Sequence, residues 1–209
     1  MDRHIDELLK IVPDLLRRNI LDLGAGRGRF MIAILKRGGK VSGVEPYDKY
    51  IDIAKTESKK EGFELELKEG VGENIPFLDA EFGFVNMTEV IEHVADPRGA
   101  MREVFRVLKS DGQVYISVPN RYGFKDQHFN LYFVNWLPRS LAHDFISLFG
   151  KHKDYSGENG LQRLSEMHYM TLGKAKNIFE SLGFMTEDIR EIKIKNKFFL
   201  FPFFYTRSF

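Results

Sequence analysis

The chain has 209 residues, 31 basic and 30 acidic side chains, a formal charge of +1 and no cysteine. That length fits one ordinary domain, residues 1–209, whose core needs no cross-links; the missing thiols exclude disulfides and thiolate metal sites; and the balanced charge disfavours nucleic acid as a partner. Met1 to Glu7 are too polar for the apolar segment of a signal peptide, and no apolar run approaches the ~20 residues that cross a bilayer. The expectation is a cytoplasmic protein with no transmembrane segment.

Leu8, Leu9, Ile11, Val12, Leu15 and Leu16 recur at helical spacing and predict an amphipathic helix over residues 4–17, with Pro13 as a break or kink. Ile20-Leu21-Asp22-Leu23 then reads as an apolar strand running into Gly24-Ala25-Gly26-Arg27-Gly28, three glycines at alternate positions. Phe30, Ile32, Ala33, Ile34 and Leu35 continue as a core helix stopped by Gly38-Gly39, and Lys40 to Val44 form a second strand closed by Glu45 and Pro46. A lysine-rich helix begins at Ile51, and Phe63 to Leu67 alternate as a third strand. Strands alternating with helices imply a parallel sheet with right-handed crossovers.

Regularity stops after Asn120. Residues 120–168 hold nine aromatic side chains from Tyr122 to Tyr155 among scattered glycines and Pro138, which marks an insertion with a functional role such as a lid or binding segment. Leu172, Ala175, Ile178, Phe179 and Leu182 restore a helix ended by Gly183, and Thr186 to Lys195 read as a strand. The last twelve residues contain six phenylalanines. Two readings stay open for them: a final strand or segment packed on the sheet with Pro202 at an edge or bulge, or an apolar surface for a membrane interface or acceptor, helped by Lys193, Lys195 and Lys197.

The glycine loop reads as a cofactor loop, since glycines allow a sharp strand-to-helix turn and close approach of a ligand to the main chain. It does not fit G-x-G-x-x-G, because the third position of that pattern is Arg29. Asp22 would repel a pyrophosphate and would suit a cation, and Glu45 stands where an acid at the end of a second strand accepts ribose hydroxyls.

These residues resemble motif I and the second-strand acid of the class I S-adenosylmethionine (SAM)-dependent methyltransferases. The resemblance continues through Gly72-Glu73-Asn74-Ile75-Pro76-Phe77, which is similar to that superfamily's adenine-side loop, and through residues 84–94, 100–109 and 111–120, which are similar to its fourth strand, the helix that follows and its fifth strand. It departs at Val71 and Gly83, where members often carry acids. The resemblance implies a Rossmann-like doubly wound α/β fold, with a mostly parallel seven-stranded sheet and an α-helical or irregular insertion after strand five. It implies SAM as cofactor, with Asp22, Gly24, Ala25, Gly26, Glu45 and Pro46 gripping its amine and ribose. Gly72, Glu73 and Asn74 would line the adenine, and Met87 and Thr88 the methionine tail and methyl group.

Glu89, Glu92 and His93 form an E-x-x-E-H group that would share one face of a helix. It resembles the metal site of small-RNA 3′-end methyltransferases and of ubiquinone-pathway O-methyltransferases, with His128 as a fourth ligand. Glu-His at this place also occurs in members with no metal role, so no metal is assigned. His128 and His93 are the candidate catalytic residues. His128 follows strand five at the rim where acceptors would approach, and a free imidazole, titrating near ~6.5, can take a hydroxyl proton. His4 is expected to be solvated, and His168 to cap or pack a helix.

Val118-Pro119-Asn120-Arg121, His128 and Trp136-Leu137-Pro138-Arg139 resemble methyltransferases of glycan and cell-envelope biosynthesis. The expectation is an O-methyltransferase acting on a small-molecule or glycan- or lipid-linked hydroxyl, with residues 120–168 as an acceptor-side cap and peripheral membrane contact open to the C-terminal tail. The alternatives are a metal-assisted RNA-end methyltransferase and a non-catalytic SAM-binding protein.

Overall fold

The computed structural model describes residues 1–117, 119–126, 128–149, 167–189 and 203–207. Helix α1 (Asp2–Ile11) buries Ile5 and Leu8 and stops before Pro13; a single 3-10 turn, Leu15–Arg17, follows it. The helix expected over 4–17 is thus two pieces, because proline has no amide to continue the ladder. Then come β1 (Asn19–Leu23), α2 (Arg29–Lys36), β2 (Lys40–Glu45), α3 (Asp48–Lys60), β3 (Glu66–Glu69), β4 (Phe82–Met87), α4 (Pro97–Val107) and β5 (Leu108–Ile116). Helix α4 starts three residues before the sequence pattern does: Asp96 caps it by accepting from the Arg98 amide, and Pro97 takes the first helical position, where no amide is needed. The insertion contributes a short hairpin, β6 (Lys125–Asp126) and β7 (Leu131–Tyr132), a 3-10 turn (Val134–Trp136) and α5 (Arg139–Phe149). Helix α6 (Leu172–Glu180), β8 (Phe184–Asp188) and β9 (Phe203–Arg207) complete the order.

The sheet runs β3-β2-β1-β4-β5-β9-β8. Strands β3 to β5 pair in parallel, and β9 is antiparallel to both neighbours. The return strand expected over 186–195 begins at Phe184 and ends at Asp188; residues 190–195 lie outside the described residues, as does Pro202. Residues 203–207 fill the slot between β5 and β8, so this part of the tail is a sheet strand.

Alternation along the strands sorts side chains onto two faces. Leu21, Leu23, Val85, Met87, Val114 and Ile116 pack with α4 and α6 in one cluster, around Met101, Val104 and Phe179. Ile20, Phe84 and Tyr115 pack on the opposite face with α1, α2 and α3, around Ile5, Phe30 and Ile51. The cap has a small core of its own, made by Phe129, Val134, Ala142, Ile146, Met167 and Tyr169.

Candidate functional site

The sheet geometry brings the acids together. Asp22 shares the face of Ile20 and pairs in register with Gly43 of β2; Glu45 is two residues past Gly43 and so projects on that same face. Both side chains are buried. Burial pushes the Asp22 carboxyl up to about 7, opposed by its hydrogen bond from Asn86 and reinforced by the nearby charge of Glu45. Burial also raises Glu45, although the amides of Gly26 and Tyr47 stabilise its ionised form.

Glu45 braces the glycine loop. Its Oε2 accepts from the Gly26 amide at 2.7 Å and its Oε1 from the Tyr47 amide at 3.3 Å, while the amides of Gly24 and Ala25 both donate to the Val44 carbonyl. Gly24 has φ +75°, and a Cβ there would collide with Val90 Cγ2. Gly28, at φ +69°, is the residue on which α2 begins, and a Cβ would press on Ala54 at 3.0 Å. The loop therefore needs glycine twice over, for its backbone angles and for its contacts. Ala25 is buried beside the loop and Pro46 is exposed.

Sequence reading missed Asn86. It lies across from Asp22 in the β1/β4 pairing, and its Nδ2 donates to Asp22 Oδ1 at 2.7 Å. Its Oδ1 accepts from Thr88 Oγ1 at 3.0 Å and faces His4 Nε2 at 3.2 Å, so that nitrogen carries the proton. His4 is accordingly not solvated: it sits on α1 against Phe30 and Tyr115, and burial lowers its basicity. Polar alternation along β4 was the available signal, since Asn86 is the one amide in an otherwise apolar strand.

Met87, expected beside the methionine tail, is fully buried in the α4/α6 cluster. Strand parity turns it to the opposite face from Asp22, whereas Thr88 reaches Asn86.

In the 72–77 loop Gly72 is buried against Val94 and Ala100, and Asn74 is exposed. Glu73 serves the scaffold, since its Oε1 accepts from the Asp96 amide at 2.9 Å, at the start of α4. Arg106 locks the loop from behind, donating to the carbonyls of Ile75 and Phe77 and pairing with Glu103 and Asp79.

The E-x-x-E-H group is not helical. Residues 88–96 form turns and bends, Glu89 adopts φ +56° with its amide bonded to Ser117 Oγ, and the two glutamates do not share a face. Glu92, His93 and His128 do come together, each offering a ligand atom within 4.8 Å of the others. Glu92 Oε1 lies 3.6 Å from His128 Nε2 and 3.9 Å from His93 Nε2. Glu92 is fully buried, neither carboxylate oxygen has a hydrogen bond among the described residues, and burial pushes its carboxyl up to about 8. His128 is not at an open rim: it is 5% exposed and its Nδ1 shares a hydrogen bond of 2.8 Å with the Tyr169 hydroxyl. The cap delivers both residues, with the Asp126 carboxylate accepting from the amides of His128 and Phe129 and the His168 amide donating to the Glu92 carbonyl. His168 thus packs through its backbone, and Thr171 caps α6.

Residues 21–116 match a family described as a methyltransferase domain. The chain is 31% identical over 140 residues to the ubiquinone biosynthesis O-methyltransferase of Pseudomonas fluorescens strain Pf0-1, covering 63% of this chain and 58% of that protein. It is 31% identical over 108 residues to the Pseudomonas entomophila protein of the same name, covering 50% and 45%. The chain thus spans about half the length of these curated relatives. Among solved structures, a SAM-dependent methyltransferase from Methanosarcina mazei superposes with a TM-score of 0.65 at 21% identity, covering 95% of this chain and 97% of that one. One from Aquifex aeolicus superposes at 0.60 and 15% identity, covering 97% and 86%. At such identities these superpositions establish the fold.

Proposed function

We propose that this chain, which belongs to the class I SAM-dependent methyltransferase superfamily, moves a methyl group from SAM to a hydroxyl on a small-molecule or glycan- or lipid-linked acceptor. One observation carries the reading: two buried carboxylates, Asp22 and Glu45, sit on one face at the tips of adjacent parallel strands beside a loop whose three glycines all have positive φ. The donor set fits that cofactor. A carboxylate held by one neutral amide suits an ammonium group, and Glu45, with one amide on each oxygen, keeps acceptor capacity for a vicinal diol.

When bound, SAM supplies an activated methyl group for in-line displacement at carbon. The chain's residues bind and orient. Asp22 would hold the amine and Glu45 the ribose, with Gly72 and Asn74 at the adenine edge, while α1 and the cap exclude water. The hydroxyl acceptor is supported by the O-methyltransferase name of the relatives and by the aromatic cap. His128 would act through Nε2, since its Nδ1 is engaged with Tyr169. Isotopically labelled SAM incubated with the protein and cell extract, followed by mass spectrometry, tests the reading; a labelled methyl ether is the expected product, with S-adenosylhomocysteine released and the hydroxyl proton lost. Unchanged SAM affinity in both Asp22→Ala and Glu45→Ala would remove the cofactor placement.

A second reading rests on the buried Glu92 carboxylate. Glu92, His93 and His128 are spaced to hold one divalent cation, which would satisfy the two Glu92 oxygens that accept no hydrogen bond among the described residues.

A further inference from the structure

Among the described residues, exposed large apolar side chains are concentrated in the cap. Nine of fourteen fall between Tyr122 and Phe149, and the other five are scattered singly over the rest of the chain. Scattered apolar residues are ordinary, but a contiguous group is not. Tyr122, Phe124, Tyr132, Phe133 and Trp136 are each 50–61% exposed. They also touch: Phe124 meets Tyr132 and Phe133, Phe133 meets Trp136, and the Trp136 indole donates to the Tyr122 carbonyl. The rings are held in place, exposed, by each other and by the hairpin.

Helix α5 extends this surface, since the 3-10 turn that carries Trp136 packs on both the hairpin and α5. Ala142 and Ile146 face the cap's small core, while Leu141, Phe145, Leu148 and Phe149 are exposed. At 100° per residue those four fall on one stripe beside the buried pair, so the helix is apolar over a wide arc of which only half is covered. Cations are interleaved with the rings: Arg121 lies over Tyr122, and Lys125 lies 5.3 Å from the Tyr132 ring centre. The hairpin's acid, Asp126, is turned inward onto the amides of His128 and Phe129.

We infer that this aromatic and basic face of the cap docks on the surface of an anionic lipid bilayer. Tryptophan and tyrosine settle at the headgroup level, a helix with a wide apolar stripe lies in the interface plane, and Arg121 and Lys125 meet lipid phosphate. The same cap delivers His128 to Glu92, just past β4, so docking sets the mouth of the site at the membrane. That consequence rests on the proposed function and narrows the acceptor to one carried by the lipid; the docking itself rests only on the exposed face.

Trp136 is the chain's one tryptophan, so it reports directly. The full chain, without methyl donor, is titrated with phosphatidylcholine vesicles and with vesicles containing phosphatidylglycerol, and emission and flotation are followed. The expected result is a blue shift and flotation with the anionic vesicles, weakened in high salt and at least tenfold weaker with phosphatidylcholine alone. In Phe124→Ser/Phe145→Ser partition should fall at least tenfold, and in Lys125→Glu the preference for anionic vesicles should shrink, with melting temperature and SAM affinity unchanged in both. No shift and no flotation with either vesicle overturns the proposal, as does undiminished flotation of the double variant. So does a blue shift that appears with protein concentration in the absence of lipid, which would assign the face to a second copy of the chain. Because no methyl donor is present, failure here leaves the cofactor reading intact, and a failed SAM titration leaves this one intact.

Discussion

Asn86 stands directly opposite Asp22 in the parallel pairing of β1 and β4, and gives its amide to the carboxylate at 2.7 Å. The amide is locked in that direction by Thr88 and His4, which both address Oδ1; turned over, it would set oxygen against oxygen at Asp22. Helix α1 thereby reaches the Asp22 carboxylate through a single side chain.

Asn86→Leu keeps the volume and removes the donor, so it should weaken SAM binding by about 10–100-fold, the value of a buried hydrogen bond to a charged group, about 1.5–3 kcal/mol. His4→Phe keeps the packing on Phe30 and Tyr115 but cannot donate, and should show a smaller loss that His4→Gln recovers. Titration calorimetry measures all three. Wild-type affinity in Asn86→Leu would show that the pairing has no part in binding.

Affinity for SAM should depend on pH through Asp22. A cationic amine binds the ionised carboxylate, whose pKa in the ligand-free protein is about 7. Binding should therefore strengthen by up to about tenfold per unit as pH rises towards 7, then level off above 8. Glu45 shares the site and His4 faces Asn86, so the control is Asp22→Asn, in which the slope should flatten. The folding consequence has the opposite sense. A folded-state pKa above the unfolded value of 3.8 favours the ligand-free fold at low pH, and that contribution is lost as pH rises through about 7. Melting temperature without SAM should fall between pH 5 and 8, less steeply in Asp22→Asn.

Manganese or magnesium should stabilise the protein through Glu92, His93 and His128. At a cation concentration 100 times Kd the gain is about 2.7 kcal/mol, or about 5–10 °C in Tm for a chain of this size. Glu92→Gln should abolish the shift. If wild type and variant respond alike to cation and to chelator, the trio binds no metal.

Deleting residues 198–209 removes β9 and leaves β5 and β8 with unpaired edges. The expected outcome is a loss of about 10 °C or more in Tm, or insoluble protein. A truncated chain that melts with the wild type would mean that the strand adds nothing to the sheet.

Much of the proposed cofactor side was legible because it is local. Asp22, the three glycines and Glu45 lie within two strand-loop units, where chain order and glycine spacing are themselves the geometry. The errors share a cause in parity and turns. Met87 looked accessible until β4 fixed which face it takes, and Glu89 looked like a partner of Glu92 until a turn replaced the helix. His128 looked open until Tyr169, forty-one residues later in the chain, closed over it.

By itself the sequence determined the alternation of strands and helices, the glycine loop and its two acids, because hydrophobic period and glycine placement act over a few residues. Only the tertiary structure decided that Asn86 and His4 complete the Asp22 site, that Glu92 meets two imidazoles, and that residues 203–207 enter the sheet. Those outcomes depend on strand register and on long-range packing, and a one-residue change of register would reverse the face of every side chain concerned.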